Sequence, residues 1–124
     1  MTPANRDTPL PTPTLSDAAK AALMSVMESG EQVEQIALAV GCSLVLTDRR
    51  LLLVRDGAAH RPRSGIGSWP TDDRLRVHLE VSLHGTPGLS ITRDRQSASV
   101  FLIAARIQEV RSLVAAVRRR IETT

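Results

Sequence analysis

The spacing of hydrophobic and polar residues changes twice along this chain. Apolar residues recur at helical spacing near the N-terminus, then follow strand-like patterns through the middle, and return to helical spacing at the C-terminal end. The clearest strand is Arg74–His84, where leucine and valine alternate with charged or polar residues, as in a strand with one buried face. The pattern therefore predicts a β-rich domain between two amphipathic helices.

The N-terminal helix is predicted from a start signal at Thr14 and Asp17 and from Gly30, which lies where a C-terminal cap is expected. The segment before it contains four prolines and is expected to be a disordered tail. We therefore divide the chain into a tail (1–14), an N-terminal helix (15–29) and the main domain (30–122). The apolar face of the helix consists of Leu15, Ala18, Ala19, Ala22, Leu23, Val26 and Met27.

Seven strands and a terminal helix are predicted for the main domain. Asp56-Gly57 is a strong hairpin signal after the third strand. The helix is expected at Ala105–Ile121, because six aliphatic residues fall on one face and most of its arginines fall elsewhere. The predicted strands are Gln32–Val40, Ser43–Thr47, Leu51–Arg55, Arg63–Trp69, Arg74–His84, Leu89–Thr92 and Ser97–Ile103.

Composition indicates one small soluble domain with an aliphatic core, since Trp69 and Phe101 are the only aromatic residues among 124. The formal charge is only +3, and it is uneven: residues 1–60 sum to −2 and residues 61–124 to +5. A single cysteine, Cys42, excludes an intrachain disulfide and suits a reducing compartment. With no membrane-length apolar run and no signal-peptide pattern, we expect a cytoplasmic protein.

Catalytic chemistry has little support in the sequence, and no metal or cofactor is expected. Gly65-Ile66-Gly67 is a bare G-x-G followed by Pro70 where a third glycine would be needed. His78 and His84 would lie about 20 Å apart on one strand, too far to share a metal. His60 falls in a polar loop, and Asp72-Asp73 is typical of a turn. We therefore expect a binding module and not an enzyme.

Nucleic-acid binding is an alternative that the sequence disfavours. The arginine-rich second half could contact phosphates, but aromatic residues for base stacking are almost absent. Arg118-Arg119-Arg120 also has a structural explanation, because cations at the end of a helix complement its dipole.

Two predicted strands are apolar on both faces, around Leu51–Val54 and Val100–Ile103. The alanine-rich N-terminal helix is expected to be too small to cover both outward faces. Self-association into a homo-oligomer is therefore one hypothesis, and complete cover by the two helices and Trp69 is the other.

The stretch Leu44–Val54, which reads LVLTDRRLLLV, resembles the strand-turn-strand signature of bacterial pleckstrin-homology-like (PH-like) and GRAM-like domains. The resemblance covers roughly residues 28–122. It implies an α+β fold, a seven-stranded antiparallel β-barrel capped by a C-terminal helix, here with an extra N-terminal helix. It also implies a non-catalytic binding or scaffold module.

The predicted partner is a protein or peptide. Anionic lipid headgroups are the alternative, but many lipid-binding members carry basic residues in the first strand-strand loop, and Gly41-Cys42 has none. The predicted contact residues are Arg49, Arg50, Arg61 and Arg63, which lie in or beside two hairpin connections. A purely structural role is open for Arg49 and Arg50, since side chains of a tight turn can lock it.

Overall fold

The structure of the chain is a computed structural model that describes residues 14–55, 66–81 and 85–123. The first helix is α1 (Asp17–Val26), and the last is α2 (Ile107–Glu122), which follows a short 3₁₀ turn at Ala104–Arg106. None of these helices is long and apolar enough to cross a bilayer. The strands are β1 (Val33–Ala39), β2 (Cys42–Thr47), β3 (Arg50–Arg55), β4 (Ile66–Pro70), β5 (Leu75–Glu80), β6 (Gly88–Arg93) and β7 (Gln96–Phe101).

The seven strands form two antiparallel sheets, with strand orders β1-β2-β3-β4 and β5-β6-β7. Within the described residues, the one bridge between the sheets joins Ala39 to Leu102. The predicted closed barrel is therefore wrong. Strand β4 ends at Pro70, which has no N–H to continue a ladder, and the chain then turns before β5 begins. The fold is an open pair of sheets.

The main core lies between the two sheets and under α2. Alternate residues of the strands point into it, including Leu44 and Leu46 of β2 and Leu51 and Leu53 of β3. Helix α2 contributes Val110, Leu113, Val114 and Val117, all buried, as its periodicity predicted. Burial of each such side chain contributes about 1.5–3 kcal/mol.

Trp69 packs in this core directly over Gly67. A Cβ at position 67 would lie 2.5 Å from the Trp69 ring, so only glycine leaves room for the indole. Among the described residues the indole N–H has no hydrogen-bond partner.

A second, smaller core lies on the outer face of the first sheet. Leu15, Ala19 and Leu23 of the N-terminal segment pack on Val45, Leu52 and Val54. The outward side chains Leu52 and Val54 are fully buried, so the helix covers β3. The outward side of the other strand that is apolar on both faces stays open at Phe101, which is 66% exposed, as expected of a helix too small to cover both. Alanine at position 19 lets the helix approach the sheet closely, which compensates for its small area.

The N-terminal helix begins and ends at other residues than the sequence predicted. Ser16, and not Thr14, caps α1 by accepting a hydrogen bond from the Ala19 N–H at 3.1 Å. Helix α1 ends at Val26, and Gly30 follows in a turn with a positive φ of 79°. Residues 1–13 of the predicted tail, the Asp56-Gly57 turn, His60 and His84 lie outside the described residues.

Candidate binding surfaces

Arg50 is held at the start of β3 by a buried ion pair with Glu31. Its Nε and Nη2 donate to the two carboxylate oxygens at 2.8 and 2.9 Å. The Glu31 side chain is fully inaccessible to solvent, and that of Arg50 is 17% exposed. Arg50 Nη2 also donates to the Val26 carbonyl at 2.6 Å, which ties the end of α1 to the turn between β2 and β3.

Thr47 completes this arrangement from the other side of the turn. Its hydroxyl donates to Glu31 at 2.6 Å and accepts from the Arg49 and Arg50 N–H groups at 3.1 and 3.0 Å. The turn is therefore locked through its side chains, the structural role that the sequence left open. The carboxylate that binds the Arg50 side chain is that of Glu31, which precedes β1.

Arg49 points outward from the same turn. Its Nη1 donates to Glu28 at 3.0 Å and its Nη2 to the Ser29 carbonyl at 3.1 Å. The two charged side chains are 42% and 59% exposed, so water screens the pair and it contributes little to stability. Of the two described candidates, Arg49 is the one that a partner could reach. Arg61 and Arg63 lie outside the described residues.

The Glu31 pair makes stability depend on pH. The Arg50 guanidinium lowers the pKa of Glu31 from 4.5 to about 2, against the opposing effect of burial. A carboxyl with a lowered pKa stabilises the fold above its unfolded pKa and loses that contribution as pH falls through the folded value. The stabilisation, on the order of 3 kcal/mol, should be complete at neutral pH and disappear between about pH 4.5 and pH 2.

Urea unfolding of the wild type and of Glu31→Gln at pH 7, 4 and 2.5 checks this expectation. The free-energy gap between the two proteins should be largest at pH 7 and shrink towards pH 2.5. Glu28→Gln, which removes the exposed partner of Arg49, is the matched control and should show no comparable gap. An equal gap at all three pH values would contradict the assignment.

The arginines at the end of α2 reach back to the sheets. Arg118 Nη2 donates to the Val77 carbonyl at 3.0 Å, and Arg120 Nη1 donates to the Asp48 carbonyl at 2.8 Å. Arg120 also pairs with Glu34, at a bulge of β1. A shallow cleft of about 370 Å³ lies here, lined by Glu34, Leu46, Ala116, Arg119, Arg120 and Thr123. Because Glu34 pairs with Arg120, the charged side chains that line the cleft leave a net charge of only +1, from Arg119.

The turn before β5 is also an ion-pair site. Arg93 donates through Nε and Nη2 to Asp72, and this lowers the pKa of Asp72 from 3.8 to about 2. Asp72 also accepts from the Arg74 N–H at 3.1 Å, which confirms its predicted role in the turn. His78 lies 4.0 Å from Glu80 on an exposed strand face. The described part of the chain contains no cluster of side chains able to hold a metal.

An apolar surface lies at the end of β1 that is farther from the β2–β3 turn with Arg49 and Arg50. Val40 is 55% exposed and Phe101 is 66% exposed, and the Val40 N–H donates to the Phe101 carbonyl at 2.9 Å. Gly88, opposite Phe101 on β6, has no side chain to cover the ring. We call Val40 and Phe101 the hairpin-end surface.

Comparison with known proteins identifies the architecture. Neither a protein-family model nor any curated protein matches the chain. Among solved structures, it is similar to the crystal structure of a pleckstrin homology domain from Shewanella amazonensis SB2B, with a TM-score of 0.55 and 16% identity. The match covers 82% of this chain and 97% of that one. The fold is pleckstrin-homology-like. At this identity the likeness establishes the fold and not the ligand.

The PH-like fold brings together residues that the sequence did not connect. Glu31 and Arg50 lie nineteen positions apart, and sequence reasoning missed Glu31 because it precedes the first strand without any motif. Val40 was assigned to the end of a strand with no indication of exposure. Phe101 was recognised only as part of a strand apolar on both faces, and it is the residue of that strand left uncovered by either helix.

Proposed function

We propose that this chain is a non-catalytic PH-like module that binds a protein or peptide through its hairpin-end surface. The observation that supports this is the pair of large apolar side chains, Val40 and Phe101, side by side and mostly exposed. Contiguous exposed apolar surface marks interaction sites on proteins, and aromatic side chains are common anchors of protein interfaces. Since Cys42 is a free buried thiol, we place the module in a reducing compartment such as the cytoplasm.

The charge arrangement favours a protein over an anionic lipid headgroup. Arg49, Arg50 and Arg120 are each paired with a glutamate of the segment before or within β1. A phosphate would have to displace these carboxylates or sit beside them, which weakens the attraction. Arg49 could instead exchange Glu28 for a carboxylate of the partner at little cost, since that pair is exposed. Arg61 and Arg63 stay in the proposal as contact residues to be tested with Arg49.

Quantitative capture experiments test the proposal. Proteins retained by the wild type should be lost from Val40→Ser/Phe101→Ser and kept by Met24→Ser, which removes an even more exposed apolar side chain from α1. The three proteins should melt within a few degrees of each other, because none of these side chains is buried. Retention of the same partners by the double variant would contradict a role for this surface.

Vesicle sedimentation distinguishes the lipid alternative. Vesicles of phosphatidylcholine with and without 30% phosphatidylserine should leave the wild type in the supernatant at physiological salt. Sedimentation that depends on phosphatidylserine, and that is abolished by charge reversal of Arg61 and Arg63, would instead support peripheral membrane binding. Light scattering in the same buffer reports self-association: a mass above the 13.4 kDa monomer that Phe101→Ser abolishes would make a second copy the partner.

A further inference from the structure

Two open sheets have four edge strands, and in the described residues three of them are protected. At β5, two backbone carbonyls are already hydrogen-bonded: Arg118 donates to the Val77 carbonyl, and Arg76 donates to the Leu75 carbonyl. Strand β1 is packed against α2, and its Glu34 is held by Arg120. The described part of β4, Ile66–Pro70, ends in a proline. Side-chain capping, a covering helix and proline are devices that prevent pairing with another strand.

Among the residues that the structure describes, none protects the outer edge of β7 in any of these three ways. Its residues Gln96–Phe101 carry no charge, and Ser97 and Ser99 are small and exposed. Within the described residues, the β1–β2 hairpin meets β7 at the C-terminal end of β7, where the Val40 N–H donates to the Phe101 carbonyl. Gly41, at the tip of that hairpin, has open space where a side chain would be. The remaining length of β7 therefore extends past the tip.

The hydrogen-bond pattern shows which backbone groups of β7 face outward. The Leu102 N–H donates to Pro87 on the β6 side, whereas the Phe101 carbonyl points to β1. Because antiparallel strands alternate the direction of their backbone groups, Phe101, Ser99 and Ser97 direct theirs away from β6. Since Val40 already lies opposite Phe101, the part of this edge left open within the described residues presents the N–H and carbonyl groups of Ser97 and Ser99, two donors and two acceptors at the spacing of a β-strand.

We infer that this outer edge of β7 binds an extended peptide as an added strand. The inference rests on the proposed function and specifies its partner. The added strand would place an apolar side chain against Phe101 and Val40 at one end. At the other end, Asp94 is engaged by Arg74 and Arg93, and the exposed Arg95 is suited to a carboxylate of the peptide. Main-chain hydrogen bonds then supply affinity, and the two ends supply specificity.

The size of the edge favours a peptide over a second copy of this chain. Six residues span about 20 Å, and a contact one strand thick along that length falls far short of the ~800 Å² per partner of a stable protein–protein interface. A peptide needs only the edge and the hairpin-end surface, which are continuous with each other through Phe101.

Ser99→Pro tests the inference, because it removes an outward N–H without touching the ladder with β6. The probe is a phage-displayed library of random twelve-residue peptides selected on the wild type. Selected peptides should lose at least tenfold in affinity on Ser99→Pro and bind Ser99→Ala unchanged. Hydrogen exchange gives a second measurement on the wild type alone: the Ser97 and Ser99 amides should exchange freely and become protected when peptide is added.

The outcomes separate this inference from the proposed function. Peptides that bind Ser99→Pro as tightly as the wild type, and leave the Ser97 and Ser99 amides unprotected, would overturn strand addition. If those peptides are still lost from Val40→Ser/Phe101→Ser, the proposed function stands without it. A library that yields no binder overturns the inference, whereas the capture experiment above still decides the proposed function.

Discussion

Replacing Arg50 by alanine should destabilise the domain by about 3–5 kcal/mol, because it leaves the carboxylate of Glu31 buried without its partner. The same change removes the hydrogen bond from the guanidinium to the Val26 carbonyl, so α1 also loses a tie to the sheet. Urea denaturation followed by circular dichroism measures the loss. A domain of this size has only about 5–15 kcal/mol of stability in total, so the variant should be close to unfolding at 37 °C.

The adjacent arginine provides the matched control. Arg49→Ala removes the same charge from the same turn, but its pair with Glu28 is exposed, and it should cost no more than about 1 kcal/mol. Equal losses for the two variants would show that the turn responds to net charge and not to the buried pair. If Arg50→Ala lowers the free energy of unfolding by less than about 1 kcal/mol, the buried ion pair does not stabilise the domain as proposed.

Val114→Asp should unfold the domain. Val114 is buried on the face of α2 that closes the inter-sheet core, and a carboxylate there would lose its hydration with no partner to replace it. Helix and strand signals in circular dichroism should be lost together at 25 °C. Ala115→Asp, one position along on the exposed face of the same helix, should keep a wild-type-like melting curve. A folded Val114→Asp protein would mean that the helix packs through another face.

The periodicity of apolar residues was sufficient to predict which helices and strands form and which face of α2 is buried. The alternation in Arg74–His84 located β5, and the spacing of Val110, Leu113 and Val117 located the helix face, because both patterns reflect burial directly. The sheet pairing, in contrast, depends on where strands part. Pro70 and the turn after it separate β4 from β5, and no local pattern shows that the strands on either side fail to pair.

The candidate binding surfaces were harder to predict from the sequence, because they depend on contacts between residues that are distant in the chain. Arg50 is a predicted contact residue whose guanidinium is paired with Glu31, a partner that no motif in the sequence indicates. For Leu52 the sequence left open whether a partner chain or a helix covers the outward face of its strand, and the structure places α1 over it. Phe101 lies on the second strand for which the sequence raised an uncovered outward face, and nothing in the described chain covers it.

The packing of Trp69 over Gly67 gives the molecule an intrinsic optical reporter. It is the one tryptophan of the chain, and it lies in the core between the sheets, whereas α1 rests on the separate outer cluster. The fluorescence emission of Trp69 therefore reports unfolding of the core between the sheets and should not change when α1 alone detaches. Far-ultraviolet circular dichroism reports the loss of both. Helix α1 can thus be seen to detach from an intact domain without any label being introduced.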